Sequence, residues 1–100
     1  MEWVKIAQTD DLSDGEGKTI DCRGNEIALF NDGGRFKAVE NTCPHAGGPL
    51  GEGTLQEGCV VCPWHQWNFN LETGCLARNN SIQLQTFPIK IEGTDVFIAL

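Results

Sequence analysis

Cys62-Pro63-Trp64-His65-Gln66-Trp67-Asn68-Phe69 is the stretch from which this chain is best read, because a shorter counterpart, Cys43-Pro44-His45, stands upstream with sixteen residues between His45 and Cys62. Each segment offers one thiolate and one imidazole, and in each a proline follows the cysteine directly. Proline fixes φ and removes an N–H donor, so each loop is stiffened where a metal would have to be held. The chain has two histidines in all. A site that uses both leaves no imidazole for a nucleophile–base pair or for a second iron held by two histidines and a carboxylate.

Outward from these segments the chain reads as short strands separated by turns. Trp3–Ile6, Lys18–Cys22, Glu26–Asn31 and Arg35–Glu40 are apolar enough for strands, and Asn31-Asp32-Gly33-Gly34 is a hairpin turn because Asp and Gly accept positive φ. Residues 9–17 are acidic and glycine-containing, which predicts a loop with one helical turn near Asp10-Asp11-Leu12. Residues 41–54 are rich in Gly and Pro and predict loop. Cys59–Cys62 and Trp67–Asn70 predict two short strands, with a turn at Leu71–Gly74. Phe87–Glu92 and Val96–Leu100 predict a closing hairpin. No segment keeps a 3.6-residue period, so helix content is expected to be low. The expected fold is all-β, an antiparallel sandwich or small barrel. It carries an inserted, loop-rich subdomain at about residues 41–76, and residues 1–100 form one domain.

Composition narrows the partners. Fourteen acidic residues against seven basic give a net charge of −7, which disfavours nucleic acid and anionic membrane and suits docking onto a basic protein face. No apolar run approaches the length that spans a bilayer. Met1-Glu2-Trp3-Val4 has neither a basic start nor an apolar core of the secretory kind. Five cysteines is an odd number, so reduced thiols in a cytoplasm are the expectation, and clustered Cys and His then point to metal rather than to bridges.

The way the ligand types are distributed discriminates between metals. A zinc finger usually draws two cysteines from one element and two histidines from another. Here each loop mixes the two, which suits a diiron core: each loop gives its Cys to one iron and its His to the other, the Rieske [2Fe–2S] arrangement. A zinc site or unligated residues remain the alternatives, and zinc would leave the protein colourless. The motif C-x-H, the sixteen-residue gap and C-x-x-H resemble the Rieske iron–sulfur family, and the run from Cys62 to Phe69 resembles the second cluster loop of its low-potential members. These are ferredoxins of aromatic dioxygenase systems and small subunits of nitrite reductases, and the similarity covers most of the chain. The resemblance implies one [2Fe–2S] cluster held by Cys43, His45, Cys62 and His65, with the His-ligated iron as the reducible one.

The resemblance also bears on potential. High-potential relatives carry two bridging cysteines that would fall at Gly48 and Trp64, and serine and tyrosine hydroxyl donors that would fall at Trp67 and Phe69; none of these positions carries such a residue here, and the chain has no tyrosine. The expected potential is therefore near the low end of the Rieske range, roughly −150 mV. Gln66 stands where relatives usually have glycine, and residues 77–81 lack the proline that often covers the cluster.

Other features have plainer readings. Cys59 with Cys62 spells C-x-x-C, but Cys59, Cys22 and Cys75 read as small buried hydrophobes. Gly47-Gly48-Pro49-Leu50-Gly51-Glu52-Gly53 lacks the Gly-Lys-Ser/Thr ending of a phosphate loop, and is expected to turn backbone N–H groups toward the sulfides. Trp3 and Trp67 read as core, Trp64 as the outer wall of its loop, and Asp10, Asp11, Asp14 and Glu16 as a solvated stretch. The expected function is soluble one-electron transfer without catalysis. The expected partners are a flavoprotein or NAD(P)H-dependent reductase and a terminal oxygenase such as a ring-hydroxylating dioxygenase. A nitrite reductase large subunit is the alternative acceptor, and a structural zinc module the alternative of another class.

Overall fold

Ile27-Ala28-Leu29-Phe30 breaks the alternation expected of a half-buried strand, and the computed structural model shows the cause: all four side chains are fully buried, two on each face. The structure describes residues 2–43, 47–64, 67–76 and 79–100, with backbone alone at 79 and 80. Among them the elements are strands and two short 3₁₀ turns. β1 (Trp3–Gln8) leads through the turn Thr9–Asp11 to β2 (Gly17–Cys22), β3 (Asn25–Asp32) and β4 (Arg35–Glu40). The turn Leu50–Glu52 precedes β5 (Thr54–Gln56), β6 (Cys59–Val61), β7 (Asn68–Asn70), β8 (Cys75–Leu76) and β9 (Asn79–Gln83). β10 (Thr86–Phe87), β11 (Ile89–Glu92) and β12 (Asp95–Ala99) close the chain. The sheets run β1-β12-β11, β10-β4-β3-β2 and β5-β6-β7-β8-β9, and the strands pair antiparallel, as the turn-punctuated sequence predicts.

The four-stranded sheet is the partition between two cores. Ile27 and Leu29 of β3 face one core with Phe36 and Ala38 of β4 and Val96 and Ile98 of β12. Ala28 and Phe30 face the other with Val39, Cys43, Leu50, Val60, Cys62 and Phe69. Full burial of each large apolar side chain contributes about 1.5–3 kcal/mol. The β3–β4 hairpin is set by Gly33 and Gly34, both at positive φ (63° and 92°), which is what a two-residue turn between Asp32 and Arg35 requires. The acidic stretch is exposed as expected, yet its carboxylates cap turns: Asp11 accepts from the Gln8 N–H, Asp14 from Gly33 and Glu16 from Ser13.

The structure departs from the sequence reading at four places. Phe87–Glu92 is not one strand. Pro88 cannot donate to a ladder, so Thr86–Phe87 pairs with β4 while Ile89–Glu92 joins β12 in another sheet. Trp3 is not core: it is 42% exposed, with the Lys90 ammonium 4.9 Å from its ring centroid. β1 runs two residues further than the apolar run, to Gln8. β5, β8 and β9 have no counterpart in the sequence reading. β5 and β6 are joined by Glu57 and Gly58, at φ 52° and 79°, a turn without the Asn-Gly signature. No helix among the described residues is long and apolar enough to cross a membrane.

Among the polar ties that connect the four-stranded sheet to the chain beyond β4, two reach the loops around β5–β8. Lys37 of β4 pairs with Glu72 in the turn after β7. Asn41, buried just past β4, accepts from the Thr19 hydroxyl at 3.0 Å and the Gly51 N–H at 2.7 Å through its Oδ1. Replacing Asn41 by alanine leaves the buried Gly51 N–H without its acceptor, and urea unfolding should show a loss of about 1–3 kcal/mol. The Lys37 ammonium holds the Glu72 carboxyl below its ordinary range, chiefly by hydrogen bonding and then by charge. A depressed carboxyl contributes stability above its unfolded value that is lost as pH falls through the folded one. Glu72→Gln should therefore be less stable than wild type at neutral pH, with the gap closing as the pH drops through the acid carboxylate range. A gap that ignores pH in denaturant titrations would exclude this ion pair as its cause.

Candidate metal centre

Two loops meet inside the second core. The first leaves β4 at Asn41 and is closed on itself: the Cys43 N–H donates to the Gly48 carbonyl at 2.9 Å, and the Gly47 N–H donates to the Cys43 carbonyl at 2.8 Å. An isolated bridge joins Thr42 to Pro49, and the Leu50 N–H donates to the Asn41 carbonyl. The second loop leaves β6 at Cys62, whose N–H donates to the Trp67 carbonyl at 2.8 Å and so ties the end of β6 to the start of β7. Cys43 and Cys62 are 1% and 0% exposed and pack with Phe69, Leu50 and Leu84. Both thiols are free.

Cys43 and Cys62 share one buried cluster, and the Cys43 side chain acts on the Cys62 thiol. Burial pushes the Cys62 thiol above its ordinary pKa; the Trp64 backbone N–H, donating to this sulfur, opposes the shift, and the neighbouring Cys43 adds to it. Gly48 sits against the same sulfur. A Cβ at this position would lie 2.9 Å from Cys62 Sγ and 3.1–3.2 Å from Cγ and Cδ2 of the Trp64 ring. Gly48 and Trp64, the positions where high-potential relatives carry bridging cysteines, thus touch in this chain without a covalent bond.

The remaining residues singled out in the sequence divide between agreement and correction. His45 and His65, with Gln66, lie outside the described residues. Cys62 faces Cys43 and forms no bridge with Cys59, so the C-x-x-C is not a disulfide. Cys22 is buried as expected, whereas Cys59 and Cys75 are only half-buried, because the five-stranded sheet leaves that face open. Trp67 packs against the core and Trp64 is 49% exposed, in line with their readings. The N–H groups of Gly47, Leu50, Gly51, Glu52 and Gly53 do not turn toward the sulfurs, since each is taken up by an acceptor of its own loop. Residues 79–83, part of the stretch that lacks the proline of a covering loop, form a strand.

Comparison with known proteins decides what such a pair of loops belongs to. Residues 2–88 match the family model of the Rieske [2Fe-2S] domain. The chain belongs to this family. The ferredoxin component of the alkene monooxygenase system of Xanthobacter autotrophicus is 39% identical over 99 residues, covering 98% of this chain and 81% of that protein. The ferredoxin subunit of 3-phenylpropionate/cinnamic acid dioxygenase of Shigella boydii is 40% identical over 104 residues, covering 100% and 95%. The ferredoxin in a solved complex of reduced oxygenase and oxidised ferredoxin of carbazole 1,9a-dioxygenase superimposes with a TM-score of 0.88 at 30% identity, over 97% of this chain and 92% of that one. A protein assigned as the small subunit of an NADH-dependent nitrite reductase from Mycobacterium tuberculosis superimposes with a TM-score of 0.91 at 22% identity, over 99% and 95%, a likeness of fold alone.

A Rieske domain houses one [2Fe–2S] cluster, and the donor set described here fits it. Two unbridged thiols side by side, a backbone N–H on one sulfur and a side-chain-free approach at Gly48 provide soft ligands, a hydrogen bond to sulfur and room. Two supporting residues escaped the sequence reading. Asn41 could have been suspected only as a polar residue beside the first ligand loop, and Lys37 gave no signal of its distant partner. The exposure pattern leads to a direct check. In the folded apoprotein, mass-spectrometric alkylation should mark Cys59 and Cys75 before Cys22, and serine at either of those two positions should leave the visible spectrum of the loaded protein unchanged.

Proposed function

We propose that this Rieske domain is a one-electron carrier that takes an electron from an NAD(P)H-dependent flavoprotein reductase and delivers it to a terminal oxygenase. Cys43 and Cys62 are the thiolate ligands of one iron, and His45 and His65 the imidazole ligands of the other. Residues 1–100 act as one domain whose work is transfer rather than catalysis, in a reducing, cytoplasmic setting. The observation that carries the reading is the pair of free thiols buried next to each other at the meeting point of two loops. Similarity to ferredoxin components of monooxygenase and dioxygenase systems supports the oxygenase as acceptor. The nitrite reductase alternative has only the likeness of fold behind it.

When bound, the cluster supplies a reversible one-electron couple. The chain's own residues make that couple usable. Cys43 and Cys62 bring thiolate charge into an apolar core, where Phe69, Leu50 and Leu84 exclude water. The Trp64 N–H stabilises negative charge on the Cys62 sulfur. Loops closed by their own hydrogen bonds, on a sheet buried from both sides, hold the sulfurs still, so little rearrangement accompanies a change of charge. The net charge of −7 suits transient, salt-sensitive docking on a basic face.

Second-sphere chemistry predicts where the couple sits. Trp67 and Phe69 offer no hydroxyl to the sulfurs, and Phe69 is fully buried in the core. The midpoint, read by EPR during an anaerobic redox titration, should fall near the low end of the Rieske range, roughly −150 mV, and a value clearly above zero would overturn the second-sphere reading. The functional proposal is tested by anaerobic purification and single replacement of Cys43, His45, Cys62 and His65 by alanine. Each replacement should abolish the Rieske EPR signal while far-UV circular dichroism stays β-rich. An intact signal in any of them removes that residue from the ligand set. The wild-type protein, reduced by a flavoprotein reductase, should in turn reduce a ring-hydroxylating oxygenase.

A further inference from the structure

Trp64 occupies an unusual position for a large aromatic side chain. It is half exposed, yet its ring is seated on Gly48, a residue of the other loop that has no side chain. The space beside Gly48 that a Cβ would enter is bounded by the Cys62 sulfur at 2.9 Å and by the indole at 3.1 and 3.2 Å. Gly48 itself is buried, and its carbonyl accepts the Cys43 N–H. The hydrogen bonds Cys43 to Gly48, Gly47 to Cys43 and Cys62 to Trp67 each close one loop on itself. The contact of the Trp64 ring with Gly48 runs between the loops. Trp64 follows Cys62 by two residues in one loop and meets the other loop with its ring, and the Cys62 sulfur and the indole bound the same space beside Gly48.

We propose that Trp64, seated on Gly48, is a non-covalent clamp that locks the Cys43 loop to the Cys62 loop and roofs the Cys62 sulfur against water. The inner edge of the ring fills the notch that glycine leaves, and the outer part faces solvent. A side chain at position 48 would have to lift the ring or move the sulfur, so the two positions work as one device. Trp64 is a positioning residue: it sets how long the loops stay together around the bound group and how wet one sulfur becomes. Solvent access and hydrogen bonding at the sulfurs are two of the protein's controls on such a centre.

The inference rests on Cys43 and Cys62 being ligands, and the test separates the two ideas. Holoprotein of wild type, Trp64→Phe, Trp64→Ala and Gly48→Ala is mixed anaerobically with excess chelator, and the loss of visible absorbance is followed together with the EPR g-values and midpoint. Trp64→Ala should bleach about tenfold faster, the lower end of what loss of an outer-shell partner costs, with shifted g-values. Trp64→Phe should restore most of the wild-type lifetime, because a phenyl ring still covers Gly48. Gly48→Ala should bleach faster with Trp64 in place. Wild-type lifetime and g-values in both Trp64→Ala and Gly48→Ala would overturn the clamp. So would a Trp64→Phe variant as short-lived as Trp64→Ala. Should Trp64→Ala take up no cluster, Gly48→Ala decides alone, by the same criterion of faster bleaching. Cys62→Ala is the control on the ligand reading. If it keeps the cluster, that reading fails; if it loses the cluster while Trp64→Ala behaves as wild type, the clamp alone fails.

Discussion

Two thiols from separate loops are buried against each other in the same apolar core, and this burial constrains everything around them. A lone thiol is content in such a place; two that must become thiolates together are not, because each charge raises the cost of the other and no water is near to help. The surroundings are arranged accordingly. Backbone hydrogen bonds close each loop so that neither sulfur can drift away. The Trp64 backbone opposes the upward push of burial on the Cys62 thiol. Gly48 lets the loops approach to a distance that a methyl group would prevent. Two thiols placed this way suit a positively charged diiron core.

The scaffold serves the same end by being buried twice. From Ile27 to Asn31 β3 has no solvent face, and the sheet it centres is gripped by apolar side chains from both neighbouring layers. Asn41 carries this rigidity into the first loop, since it touches β2 through Thr19 and the 3₁₀ turn through Gly51. Lys37 carries it to the turn between β7 and β8 through Glu72. An electron carrier benefits from such stiffness, because any atom that moves when charge arrives adds to the barrier for transfer.

The family was legible from the motif's spacing and residue types, and the all-β class from short strands and the absence of helical periodicity. Two mistakes in the strand reading share a cause. Phe87–Glu92 looked continuous because its residues favour strands, yet a missing N–H at Pro88 lets the two halves join different sheets. Trp3 looked like core because it is large and apolar, but β1 turns it outward beside Lys90. Local propensity says that a strand forms; which sheet it enters and which face it buries depend on partners far away in the chain. The half-exposure of Cys59 and Cys75 belongs to the same class of question.

By itself, the amino-acid sequence carried the resemblance to the Rieske family: two cysteines and two histidines in mixed pairs, with a proline after each cysteine, are a pattern of residue type and spacing that belongs to the chain alone. Tertiary structure decided the environment of those ligands. The meeting of Cys43 with Cys62, the seating of Trp64 on Gly48 and the anchoring of the first loop by Asn41 arise only when three sheets pack, since each joins residues whose proximity is set by the burial of apolar faces and not by their order in the chain.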